Sequence, residues 1–296
     1  MYRSILVPLD GSKTAEVVLP YAKELAGRLD LDLYFLHVCE PDTTETATTD
    51  QIYINDIAQK LKYDIKEIQA ETGAGTTNRT LETIGEIIYG HAAEEIINYV
   101  EKRDIDLILL STHGHSGIKQ WAMGNNADKV LRKARCPTLL VKAASPEEII
   151  HSEWCRRTLI VPLDGSSTAE YALSHAEMLA KQRGIESVKI ILIRVCDPVF
   201  VTADYPEASM NLTWDEHVKH MQDHVKEIAM QYLNKIQKRM EYSGLKVTSV
   251  VLMGKAADEI IKYAQTHAPN LIVMSTHGYS AINRWEYGNI ANKNVI

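Results

Sequence analysis

Apolar positions along the chain fall into two alternating patterns. Short apolar runs at Ser4 to Leu9, Leu33 to Val38 and Asp106 to Leu110 are too brief for helices and rich in branched side chains, which predicts buried strands. Between the first two runs, Thr14 to Leu29 carries apolar residues at helical spacing, and a long helical region separates the second run from the third. A glycine-containing loop follows, then a helix from about Asn125, then Cys136 to Lys142 as a closing strand. Continuous apolar strands separated by helices predict a parallel sheet covered on both faces, a doubly wound α/β unit with ligands at the carboxyl ends of its strands.

The whole pattern occurs twice. Val7-Pro-Leu-Asp-Gly-Ser-Lys-Thr-Ala-Glu16 returns as Val161-Pro-Leu-Asp-Gly-Ser-Ser-Thr-Ala-Glu170, with nine of ten positions identical. Leu36-His-Val-Cys-Glu-Pro41 returns as Ile193-Arg-Val-Cys-Asp-Pro198, and Gly90-His-Ala-Ala-Glu-Glu-Ile-Ile97 as Gly254-Lys-Ala-Ala-Asp-Glu-Ile-Ile261. Ser111-Thr-His-Gly114 with Gly124-Asn125 returns as Ser275-Thr-His-Gly278 with Gly288-Asn289. The offset between the copies grows from 154 to 164, so the second carries about ten extra residues, chiefly between Cys196 and Gly254. Separated blocks repeated in one order mean a duplicated domain. The expected division is residues 1–143, a linker at 144–153 and residues 154–296, the second domain lacking a counterpart of the strand at Cys136 to Lys142.

Composition narrows the function classes. With 296 residues, 45% hydrophobic and 24% charged, the chain has globular rather than disordered composition. A net charge of −7 argues against a nucleic-acid partner, which needs clustered Lys and Arg. No apolar run approaches the roughly 18 residues that span a bilayer, and the first residues lack a signal-peptide pattern, so no membrane partner and a cytoplasmic location are expected. Four cysteines without a CxxC pair predict reduced thiols.

The chemistry concentrates at strand ends. A loop running from a strand into a helix at Gly124 aims backbone N–H groups where a phosphate gains from the helix dipole. Asp10 and Asp164, each before Gly-Ser, read either as acceptors for a ligand amino group or as turn and helix-start residues. Asn125 and Asn289 read as phosphate donors or as helix N-caps. His113 and His277 precede the loop glycines without a paired nucleophile at recognisable spacing, which favours loop packing or phosphate contact over base catalysis. Lys119 and Arg284 read as solvated loop charges ahead of phosphate contacts, and no Walker lysine is present. His217, His220 and His224 share one helical face, but nothing completes a metal site there, and a solvated face is expected. Met210, Met221, Met230 and Met240 read as core or interdomain packing, and Thr43 to Thr49 as a mobile loop near the site mouth.

On these motifs the chain resembles a tandem universal stress protein: two UspA-type, Rossmann-like domains of the adenine nucleotide alpha-hydrolase-like superfamily, covering almost the whole sequence. Members that bind ATP carry Gly-x2-Gly-x9-Gly followed by Ser or Thr. The resemblance implies that the Asp10 carboxylate and the Val38 backbone lie at adenine, that Ser111, His113, Gly114, Gly124 and Asn125 lie at ribose and phosphates, and that Pro8 belongs to the same binding set. The second set is Pro162, Asp164, Val195, Ser275, His277, Gly278, Gly288 and Asn289. The departures are Ser111 and Ser275 at the first motif glycine, and Asn125 and Asn289 at the hydroxyl position.

The resulting expectation is a stress-response sensor or interaction module binding ATP, ADP or AMP, with or without magnesium. A pseudo-dimer of its two domains and further homodimerisation are expected from the same resemblance. The alternatives are a slow ATP hydrolase, against which stands the lack of an evident base or nucleophile, and a scaffold whose sites have lost the nucleotide.

Overall fold

The computed structural model describes residues 1–40, 47–72, 81–112, 124–141, 158–198, 214–267 and 271–275. The chain divides into two compact units that part at Cys155 and Arg156. The first runs β1 (Ser4–Leu9), α1 (Lys13–Glu16), α2 (Leu19–Leu29), β2 (Asp32–Cys39), α3 (Ala47–Thr72), β3 (Thr83–Tyr89), α4 (Ala92–Arg103), β4 (Leu107–Ser111), α5 (Asn125–Lys133) and β5 (Thr138–Val141). The second runs β6 (Thr158–Pro162), α6 (Ser167–Arg183), a 3-10 turn, β7 (Lys189–Cys196), α7 (Trp214–Tyr242), β8 (Lys246–Met253), α8 (Ala256–Thr266) and β9 (Leu271–Ile272).

All strand pairs are parallel. The strand orders are β3-β2-β1-β4-β5 and β8-β7-β6-β9, so both units are doubly wound and the second sheet shows four strands among the described residues. Alternation along the strands explains the two-sided covering. Leu6, Leu36, Ile108 and Leu110 face Ala93, Ile96 and Val100 of α4 and Val130 of α5. In the second unit Leu159, Val161, Ile190 and Leu192 pack on Leu173 and Ala176 of α6 and on Leu233 and Ile236 of α7, while Ile160, Ile191 and Ile193 pack on Ile260 of α8.

Three elements depart from the expected pattern. The segment Thr14 to Leu29 is two helices, α1 and α2, with the break at Val17 and Val18. Pro20 is the cause: its ring clashes with the carbonyl four residues earlier and it has no N–H to donate there, whereas the first turn of a new helix tolerates it. Its repeat counterpart is Ser174, and there α6 runs unbroken, with Ser174 Oγ donating to the Tyr171 carbonyl at 2.8 Å. Strands β3 and β8 interrupt what reads as one long helical region; both lie at the outer edge of their sheets. Finally, residues 47–49 of the expected threonine-rich loop belong to α3, and residues 41–46 lie outside the described residues.

The seam between β1 and β4 is short. Only Ile5 with Leu107 and Leu6 with Ile108 are paired, and β6 and β9 repeat this with Leu159 and Leu271, Ile160 and Ile272. Below the pairs, the Asp106 carboxylate accepts from Arg3 N at 2.7 Å, Ser4 N at 3.1 Å and Ser4 Oγ at 3.3 Å. Above them come Pro8 and Pro162, which have no N–H to continue a ladder. Among the described residues each seam is thus joined over two rungs, with none further at the carboxyl side.

Candidate functional site

That opening is the topological switch point of the sheet, where chain order reverses and doubly wound folds hold ligands. At one lip, Asp10 leaves β1. Its Oδ1 accepts from Ser12 N at 3.0 Å and Ser12 Oγ at 2.5 Å, and Ser12 Oγ in turn accepts from Ala15 N at 3.1 Å, capping α1. Asp164 does the same: Ser166 N at 2.9 Å, Ser166 Oγ at 2.6 Å, and Ala169 N onto Ser166 Oγ at 3.0 Å at the start of α6. The turn role of both aspartates is therefore realised. The carboxylate is oriented by its own loop, with Oδ1 committed to the turn in each unit.

At the other lip, β4 ends in Ser111, buried, followed by Thr112, whose N–H donates to the Val141 carbonyl at 2.9 Å. Gly124 N donates to the Thr112 carbonyl at 2.9 Å, which holds the start of α5 against the end of β4. The N-cap of α5 is Gly124, with no side-chain cap. Asn125 is the first helical residue and exposed, which corrects its reading as the cap. Glycine at this cap brings no side-chain acceptor to the first-turn N–H groups, the arrangement in which a helix start accepts an anion.

Val38 sits at the adjacent end of β2. Asp32 N donates to Arg3 on the β1 side, and Leu33 N donates to Glu82 on the β3 side, so even-numbered residues of β2 turn their peptide groups toward β1. Pairing with β1 stops at Leu9 opposite His37, so the Val38 carbonyl is directed past the end of β1 toward the opening. Its side chain packs on the opposite face, in the cluster with α4. Val195 occupies the matching place in β7, opposite Leu252. Ser275 is half-buried just beyond β9. His113, Gly114 and Lys119, and His277, Gly278, Arg284, Gly288 and Asn289, lie outside the described residues.

Gly90 and Gly254 recur for a backbone reason. Their φ values are +150° and +144°, and each N–H donates to the last residue of the neighbouring strand, Cys39 at 2.9 Å and Cys196 at 3.0 Å. A Cβ there would lie 2.7 Å and 2.8 Å from the side chains of Glu95 and Glu259.

The floor of the site on the α3 side was not singled out from the sequence. Tyr53 of α3 donates to Glu16 at 2.9 Å and stands edge-on to His37. Burial and the Glu16 contact push the Tyr53 phenol well above its ordinary range, with Asp10 contributing. Tyr232 of α7 donates to Glu170 at 3.0 Å and is shifted the same way for the same reasons. Here the copies diverge, since His37 is replaced by Arg194, whose guanidinium carbon lies 5.1 Å from the Tyr232 ring centroid. A Cβ on Gly165 would meet that guanidinium at 2.8 Å, so Arg194 lies over the Asp164-Gly165-Ser166 turn. Only the recurrence of Tyr at this place in both long helices, after the aligned glutamates, could have signalled the floor.

The histidine face of α7 is solvated: His220 and His224 are exposed and His217 half-buried. Of the methionines, Met240 is in the core, Met221 is 38% exposed, and Met210 lies outside the described residues. Among the described residues, no helix is long and apolar enough to cross a membrane.

Two tandem doubly wound α/β units, each a parallel sheet with a switch point at its central seam, define the class of fold. The Universal stress protein family model matches residues 1–142 and again 156–295, and the chain belongs to that family. Its relatives include Universal stress protein MJ0531 of Methanocaldococcus jannaschii, 28% identical over half of this chain and 86% of its own length. Universal stress protein YxiE of Bacillus subtilis is 29% identical over 48% of this chain and its entire length. Among solved structures, a universal stress protein from Archaeoglobus fulgidus shares the fold with a TM-score of 0.55, at 18% identity, covering 89% of this chain and 83% of that one.

Proposed function

We propose that the chain is an adenine-nucleotide-binding sensor, each unit taking the base and phosphates into the opening beyond the β1–β4 or β6–β9 seam. The observation that carries this reading is the pairing, across one opening, of a turn-held aspartate with a helix start whose cap brings no side chain. Asp10 offers an acceptor suited to an amino group and the Val38 carbonyl a second, while the N–H groups of α5 suit a phosphate. In the second unit Asp164 and Val195 supply the same acceptors, and Arg194 adds a cation. Signalling follows if the nucleotide binds two arrangements of the chain with different affinity, since a ligand shifts an equilibrium only by that difference.

The test is mass spectrometry of nucleotide released on denaturing the purified protein, with a thermal-shift titration using MgATP, ADP and AMP. At a hundredfold excess over Kd, binding adds about 2.7 kcal/mol of stability and a clear rise in Tm. A protein that carries no adenine nucleotide and shows no shift at millimolar concentrations refutes the reading. Asp10→Ala with Asp164→Ala should abolish the shift.

A further inference from the structure

The floor of the first site contains a donor set that the nucleotide reading does not use. His37 and Cys39, two apart on β2, project to the same face of the sheet, where α3 brings Asp50 against them. Cys39 Sγ lies 3.7 Å from Asp50 Oδ2, His37 Nε2 lies 4.0 Å from the same oxygen, and the three donor atoms all lie within 4.8 Å of one another. It is the only group of three such residues among those described. The site is nearly dry yet reachable: Cys39 is buried, and the His37 and Asp50 side chains are 13% and 24% exposed.

The imidazole is oriented for ligation. His37 Nδ1 lies 2.8 Å from the Leu9 carbonyl, an acceptor only, so Nδ1 carries the proton and donates. That hydrogen bond fixes the tautomer whose lone pair is on Nε2, the atom turned to Asp50. A backbone carbonyl holding the far nitrogen of a histidine is the usual outer support of a metal ligand.

We infer that His37, Cys39 and Asp50 form a binding site for a divalent transition metal of the zinc class. The mixed nitrogen, sulfur and oxygen set suits a borderline-soft ion, and three protein ligands leave a fourth position for water. Zinc bond lengths place tetrahedral ligand atoms about 3.4 to 3.6 Å apart. The sulfur–oxygen and nitrogen–oxygen separations need only small side-chain movements to reach that. On binding, the Cys39 proton leaves to solvent and the thiolate takes its place.

The second unit supports the assignment by contrast. Arg194 stands where His37 does, Cys196 matches Cys39, and counting back from Tyr232 as from Tyr53 puts Ala229 where Asp50 is. That copy has a guanidinium over its tyrosine ring and its Asp164-Gly165-Ser166 turn, whereas the first has an additional carboxylate and a ring with a lone pair. A bound dication would give the first site the positive charge that the second carries covalently.

The experiment is titration of the reduced, chelator-treated full chain with Co2+. One Co2+ per chain should give thiolate-to-cobalt charge-transfer absorption in the near ultraviolet with the visible bands of a tetrahedral site, bleached by Zn2+. Cys39→Ser, with unchanged circular dichroism, should lose the charge-transfer band. Asp50→Asn should weaken Co2+ binding at least tenfold, and His217→Ala with His220→Ala and His224→Ala should leave the spectrum intact. Zn2+ should also slow alkylation of Cys39 in the unmutated chain, followed by peptide mass spectrometry. A parent chain without the band, a band that survives Cys39→Ser, or Cys39 alkylation indifferent to Zn2+ overturns the assignment. None of these readouts involves a nucleotide, so the metal site and the nucleotide site fail separately.

Discussion

Gly85, in the middle of β3, sets how closely α3 approaches the sheet, and replacing it with alanine should measure that approach. Its backbone is ordinary strand, so conformation alone does not call for glycine. A Cβ would instead stand 2.8 Å from the Ile54 carbonyl oxygen and 3.1 Å from its carbonyl carbon. Ordinary carbon–oxygen contact needs roughly half an ångström more, and the obstacle is helix backbone rather than a rotatable side chain. Gly85→Ala must therefore push α3 outward, loosening Ile54, Ala58, Leu61, Ile65 and Ile68, all buried along that helix. Overpacking of this kind costs about 1 to 3 kcal/mol, against which the alanine recovers up to about 1 kcal/mol of chain entropy. A net loss of about 1 to 2 kcal/mol should appear in urea unfolding, and hydrogen exchange should localise it to α3 and β3. The repeat supplies its own control. The matching residue of β8 is Ser249, whose hydroxyl donates to Gln237 of α7 at 2.7 Å, so Ser249→Gly should cost a hydrogen bond and relieve no clash. A Gly85→Ala protein as stable as the parent, or more so, would show that α3 is not held at that distance.

Ser12→Ala and Ser166→Ala each remove a helix cap and the hydroxyl that holds the aspartate, and should cost about 1 kcal/mol by chemical denaturation. Ser166→Ala should cost the more because the 17-residue α6 depends on it. His175 is half-buried on α6, and burial holds its imidazole below the ordinary value of 6.5. The unfolded chain then takes up a proton at a higher pH than the folded one, so stability is full above 6.5 and declines as pH falls below it; urea midpoints at pH 7.5 and 5 should diverge less in His175→Gln. Burial pushes the Cys136 thiol up to about 11, from an ordinary 9.0. At pH 8 its thiolate fraction is about a hundredfold below that of a free cysteine, and iodoacetamide labelling should be slow until urea is added.

The strands that cross the middle of each sheet were legible because burial on both faces leaves an unbroken apolar run, as in β1 and β4. The edge strand β3 was not, since Thr83, Glu86 and Tyr89 serve a half-exposed position and dilute the signal. The break between α1 and α2 was written in Pro20, and the asparagine placement turned on a single residue of register at Gly124. The duplication exposed the aspartate turns and the paired glycines. It concealed the His37, Cys39 and Asp50 group, because repetition directs attention to what the copies share, and this group exists only where they differ. Its third member also lies 11 residues along the chain from Cys39, on another element, which no local spacing reveals.

The two-rung seam has a consequence for how ligand binding would be sensed. With the Asp106 carboxylate gripping Arg3 and Ser4 below, and Asp10 and Gly124 apart above, β1 and β4 form a fork whose closed end is far from the ligand. A molecule spanning the tines would damp their separation and so steady the rungs at Ile5 and Leu6. Amide exchange there should slow on nucleotide binding, although neither residue is placed to touch the nucleotide.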